Sequence, residues 1–120
     1  MRVLVCGGRA FENYSLLHRV LCGVREEHNE FTLLHGGATT GADRMAGRWA
    51  EHVGLPVVVF EAEWRKYGPS AEPIRDTRML NVGKPDLVVA FPGATGTTGM
   101  VKLARKAGVE IMEVSERHEV

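Results

Sequence analysis

The stretch Pro92-Gly93-Ala94-Thr95-Gly96-Thr97-Thr98-Gly99-Met100 has the residue types of a phosphate cradle. Glycines let backbone amides approach an anion without a Cβ in the way. A helix starting at the threonines would aim free N–H groups and its positive dipole end at the same point. Thr97 and Thr98 add hydroxyl donors there. Two more glycine-rich turns occur earlier, Gly7-Gly8-Arg9 and Gly36-Gly37-Ala38-Thr39-Thr40-Gly41-Ala42-Asp43. Together they give a candidate phosphate-binding set: Gly7, Gly8, Arg9, Gly36, Gly37, Ala38, Thr39, Gly41, Asp43, Pro92, Gly93, Gly96, Thr97 and Thr98, with Arg75 and Arg78 folding over from beyond a loop. The first turn lacks the full G-x-G-x-x-G pattern, and the last lacks the lysine of a P-loop. Both omissions argue against a standard dinucleotide fold or a nucleoside triphosphatase.

Several of these residues have two readings. Arg9 could clamp a phosphate bidentately or sit solvated at the surface. Arg75 and Arg78 could reach a ligand or line a charged helix face. Asp43 could cap the second helix or accept from a ribose hydroxyl. His35, at a strand end beside Gly36, reads as a structural histidine. Trp49 falls on an apolar helical stripe, whereas Trp64 and Tyr67 could stack on a base or pin a loop down. No Ser-His-Asp or Cys-His arrangement can be argued, no histidine spacing suits a metal, and no cofactor is expected.

The elements that must position these residues alternate. Val3–Cys6, Phe31–His35, Pro56–Phe60, Asp86–Phe91 and Val109–Val114 read as strands. Helices follow the first strand, with Asn13 or Ser15 as cap and Leu16, Leu17, Val20, Leu21 and Val24 as its stripe, and the second strand, stopping at Gly54. Another runs from Val101 to Ala107, and Gly108 stops it. Glu61 to Ile74 reads as a long loop, and Arg75 to Leu80 begins or sits in a short helix. Alternation with short connections predicts an α/β fold: one Rossmann-like, doubly wound parallel sheet of about five strands with helices on both faces, spanning 1–120 as a single domain. Glycine turns follow strands one, two and four but not three. The order 3-2-1-4-5 makes those strands neighbours, so the turns would meet at the switch point between strands one and four. The order 2-1-3-4-5 would separate them.

Composition narrows the function. Lys plus Arg equals Asp plus Glu at 15 each, so the net charge is zero. Nucleic-acid binding through the phosphate backbone calls for a basic excess, which argues against it here. No apolar run suits a membrane span, and Met1-Arg2 leads straight into a strand, so a cytoplasmic protein is expected. Cys6 and Cys22 are expected to be reduced and partly buried.

These residues together resemble the SLOG superfamily of Rossmann-like domains, within it the YspA/YpsA-related branch. The resemblance is carried by Cys6-Gly7-Gly8-Arg9-Ala10-Phe11, His35-Gly36-Gly37-Ala38 with Gly41-Ala42-Asp43, Trp64 with Tyr67-Gly68, Pro73-Ile74-Arg75-Asp76 with Met79-Leu80, and Ala90-Phe91-Pro92-Gly93 with Gly96-Thr97. It implies binding of a nucleotide or nucleotide-derived ligand, as a sensor or sequestering module, and assembly as a homodimer. The related LOG phosphoribohydrolases cleave the bond between base and ribose 5′-monophosphate and carry P-G-G-x-G-T-x-x-E and R-K-x-x-M. Pro92, Gly93, Gly96, Thr97, Arg75 and Met79 match those patterns; Ala94, Met100 and Asp76 depart from them. Met100 stands where the catalytic glutamate would be, and methionine neither carries a proton nor stabilises an oxocarbenium ion. Catalysis at an N-glycosidic bond would then fall to Arg75, Asp43 or Asp76. The superfamily also includes relatives of the DNA-processing protein DprA, hence the nucleic-acid alternative.

Overall fold

The computed structural model describes residues 1–93 and 95–115, without the side chains of residues 95–98. Five strands form one parallel sheet: β1 (Arg2–Cys6), β2 (Thr32–His35), β3 (Val57–Val59), β4 (Leu87–Ala90) and β5 (Glu110–Glu113). Their order is β3-β2-β1-β4-β5, as the distribution of glycine turns predicts. Leu4 pairs with Leu34 on one side and Val88 on the other, which places the ends of β2, β1 and β4 side by side.

β1 and β4 are apolar throughout their centres because both sheet faces are covered. Side chains alternate across the pleat. Val3, Val5, Leu33, Leu87 and Val89 face a core shared with α1 (Tyr14–His28) and α2 (Gly41–Val53), where Leu17, Leu21 and Trp49 are fully buried. Leu4, Leu34 and Val88 face a smaller core shared with α4 (Ala71–Asn81) and α5 (Thr95–Lys106), through Met79, Met100 and Ala104. Asn13 Oδ1 accepts from the Leu16 amide at 3.1 Å, capping α1. Gly54 closes α2 at φ 80°, its N–H donating to the Glu51 carbonyl.

One stretch differs from its sequence reading. The expected loop from Glu61 to Ile74 is largely helical. A short helix, α3 (Trp64–Tyr67), leads through a 3-10 turn (Gly68–Ser70) into α4, which begins at Ala71 rather than near Arg75. Pro69 and Pro73 look like breakers in the sequence. Both fall in first helical turns, where a missing N–H leaves no bond unmade. Among the described residues no helix is long and apolar enough to cross a membrane.

Candidate functional site

A cavity of about 620 Å³ opens at the carboxyl edge of the sheet. Gly7 and Gly8 from the turn after β1, Gly36 and Gly37 after β2, and Gly93 after β4 all line it. The turns are tied to one another. The Gly8 amide donates to the Pro92 carbonyl at 3.1 Å, and the Gly8 carbonyl accepts from Ala42, the second residue of α2, at 3.3 Å. A Cβ on Gly93 would run into the backbone N and Cα of Gly8. Gly41, at φ 78°, faces the Gly8 carbonyl oxygen in the same way. At these two positions glycine is required by turn-on-turn packing, before any ligand is considered.

Asp43 does not take the capping role offered by the sequence. It is the third residue of α2, where Thr40 is the N-cap. Its Oδ2 reaches back and accepts from the amides of Gly36 at 3.2 Å and Ala38 at 3.3 Å. Those two bonds fold the second glycine turn. Burial pushes the Asp43 carboxyl above its ordinary range, against the Ala38 amide, His35 and Arg75, which pull it down. His35 is structural: its Nδ1 accepts from the Gly37 amide at 3.0 Å, and burial holds its pKa below the ordinary value. The neutral ring then carries its proton on Nε2, the nitrogen facing Gly47.

Arg75 lies under the cavity as a bracket. Its Nε donates to Asp76 Oδ1 at 2.8 Å, its Nη1 donates to the carbonyls of Gly36 and Phe60, and its Nη2 is 3.6 Å from Glu72 Oε1. One side chain thus ties α4 to the ends of β2 and β3. Asp76 is nine-tenths buried, and that burial raises its pKa despite Arg75. Cys6 sits at the same floor, its thiol pushed up to about 12 by burial and then by the charges of Asp43 and Asp76. It is therefore a neutral thiol and no nucleophile.

The remaining candidates divide. Arg9 is exposed and lines the cavity, as does Ala38. Pro92 lies behind Gly93, facing the α1 entry. Thr39 is exposed, and its carbonyl accepts from Arg44. Arg78 points elsewhere, with its guanidinium 5.8 Å from the centre of the Phe60 ring. Of Gly96, Thr97 and Thr98 only their place in the first turn of α5 is described, and Ala94 lies outside the described residues. Trp64 lines the cavity; Tyr67 is covered by Lys66 Nζ at 5.1 Å. Met100 is buried in the cavity wall.

Sequence reasoning missed Glu61, Glu72 and Cys6 as lining groups. A signal existed for one of them. Glu72, Arg75, Asp76 and Met79 recur at three and four residues, a helical face that becomes legible once Pro73 is allowed in the first turn.

The YspA, cpYpsA-related SLOG family model matches residues 1–67, which include the first two glycine turns and Trp64. Gene 61 protein of Mycobacterium phage D29 is 29% identical over 126 aligned residues, covering 97% of this chain and 98% of that protein.

Proposed function

The chain belongs to the YspA, cpYpsA-related SLOG family, and on that premise we propose that its cavity binds a nucleotide or nucleotide-derived ligand through a phosphate, as a sensor or sequestering module. The observation that carries this reading is the convergence of the glycine turns after β1, β2 and β4 on one cavity. It lies at the switch point of the sheet, where open α/β folds take ligands. The phosphate belongs at the β1/β4 end. There α5 begins with no acidic residue in its first turn, and Arg9 stands at the rim. Self-association as a homodimer, through the segment bearing Trp64 and Tyr67, is part of the same reading.

A second reading, hydrolysis of a nucleoside 5′-monophosphate at its N-glycosidic bond, gains from one observation. Two carboxyl groups with burial-raised pKa values, Asp43 and Asp76, line the cavity, in which Met100 stands at the position of the relatives' catalytic glutamate. A protonated carboxyl could deliver a proton to the departing base as the C1′–N bond breaks, its electrons leaving with the base. An ionised one could stabilise the ribosyl cation and take a proton from the attacking water.

Calorimetry with matched nucleosides and 5′-monophosphates, alongside chromatography for free base, separates these readings. A charge-assisted hydrogen bond contributes roughly 1.5–3 kcal/mol. Removing the phosphate should therefore weaken binding by at least ~10-fold. Equal affinity for both ligands would remove the phosphate reading. Rapid release of free base would establish the hydrolase.

A further inference from the structure

We infer that Asp43 and Asp76 together read a vicinal diol on the ligand, so that the cavity selects a ribose phosphate over its 2-deoxy counterpart. The inference rests on the phosphate reading of the same cavity and adds what the ligand must carry beyond the phosphate.

The cavity has two electrical ends. At the β1/β4 end its described lining is Gly7, Gly8, Gly93 and Arg9, with no carboxylate. At the β2/β3 end, where α4 closes the wall, stand Glu61, Glu72, Asp43 and Asp76. Arg75 is the cation at that end, and it is already engaged by two backbone carbonyls, Asp76 and Glu72. An anion is repelled from this end, and a group rich in hydrogen-bond donors is attracted.

Each of the two aspartates is nine-tenths buried and held by one oxygen. Asp43 uses Oδ2 for the Gly36 and Ala38 amides; Asp76 uses Oδ1 for Arg75. Among the described residues, Asp43 Oδ1 and Asp76 Oδ2 have no hydrogen-bond partner. Both oxygens are open to the cavity rather than sealed in the core, so their partners must come from solvent or a ligand. What lacks a partner here is a pair of fixed acceptors in the wall of one cavity, with their orientation set by the protein. The complementary group is a pair of adjacent O–H donors. On a nucleotide whose phosphate lies at the β1/β4 end, the next group along is the ribose with its 2′- and 3′-hydroxyls. The bonds to Gly36 and Ala38 carry the Asp43 carboxylate back to the end of β2, next to β1. In dinucleotide-binding α/β folds, an acid in that neighbourhood accepts from a ribose hydroxyl.

The experiment is calorimetric titration of the full chain with three probes: ribose 5-phosphate, 2-deoxyribose 5-phosphate and inorganic phosphate. The expected result is at least ~10-fold tighter binding of ribose 5-phosphate than of the deoxy sugar, with inorganic phosphate competing against both. In Asp76→Asn, which keeps an oxygen for Arg75 but turns the free acceptor into a donor, that preference should fall toward unity. Binding of inorganic phosphate, which by this reading uses only the β1/β4 end, should persist in the same variant, and an unchanged circular dichroism spectrum should report that it is folded. Equal affinity of the wild-type chain for both sugars, each displaced by inorganic phosphate, would overturn the diol inference and leave the phosphate reading standing. Failure of all three probes to bind would overturn both.

Discussion

Asp43 and His35 show how much of this site is settled one residue at a time. Both are polar, both are buried, and both spend hydrogen bonds on the turn after β2. The sequence identified His35 as structural from its place at a strand end. It could not place Asp43, because the two amides it accepts from lie five and seven residues back, across a turn whose path is a tertiary matter. The pH response of the fold follows from these groups. His35 binds a proton less readily folded than unfolded, so stability falls as pH drops below the ordinary 6.5 toward its lowered value. Asp43 and Asp76 run the other way: their raised pKa values make stability fall as pH rises through the interval above the ordinary 3.8. In His35→Asn, whose Oδ1 can replace Nδ1 as acceptor for Gly37, the loss from neutral pH down to about pH 5 should shrink. Denaturant midpoints measured across that range check it, and an unchanged slope would assign the titration to other groups. Gly93→Ala isolates a different residue-scale demand. Its Cβ would push the β4 turn off Gly8, so we expect a loss of about 1–3 kcal/mol by chemical denaturation, as for other forced overpacking. A stability equal to wild type would show that the two turns can separate freely.

At the scale of elements, the sheet was legible and α4 was not. Strand order followed from which strands are trailed by glycines, because ligand sites and tight turns gather at a switch point. The apolar runs of β1 and β4 announced burial on both faces. α4 was hidden by Pro69 and Pro73, whose effect depends on where a helix begins, and that boundary is set by packing onto Leu34, Val88 and Met100. The cost of misplacing it was functional, since α4 brings Glu72, Arg75, Asp76 and Met79 to the cavity. Arg75 is the fastening between that helix and the sheet. Arg75→Ala would strand the Asp76 carboxylate in a buried site and free the Gly36 and Phe60 carbonyls, for an expected loss of about 3 kcal/mol. In Arg75→Ala/Asp76→Asn the stranded charge is gone, so the combined loss should be smaller than the sum of the two single losses. A double-mutant cycle by urea denaturation measures that coupling. Strict additivity would mean that the 2.8 Å pair contributes nothing of its own.

At the scale of the whole molecule, charge and surface point to self-association. With 15 basic and 15 acidic residues the chain carries no net charge to hold copies apart. β3 ends the sheet, so one side of it is an unpaired edge, and both Val58 and Val59 on it are exposed. Such edges are usually blunted by charge or covered. The chain runs from there directly into α3, where Trp64 is 49% exposed and Tyr67 is also exposed, and then into α4, which exposes Ile74. Large aromatic side chains of this kind supply anchors when two surfaces meet. Because Trp64 also lines the cavity, a second copy seated here would reach the rim of the ligand site. Sedimentation at micromolar concentration should then show a dimer. Val59→Lys, which puts a charge on the edge strand while leaving the cores untouched, should weaken that dimer by at least ~10-fold, about 1.4 kcal/mol. Saturating ligand should in turn strengthen the wild-type dimer if the partner closes over Trp64, since coupling between two binding events is reciprocal. A wild-type chain that sediments as a monomer throughout, with or without ligand, would sink the homodimer and leave Trp64 to act within its own protomer.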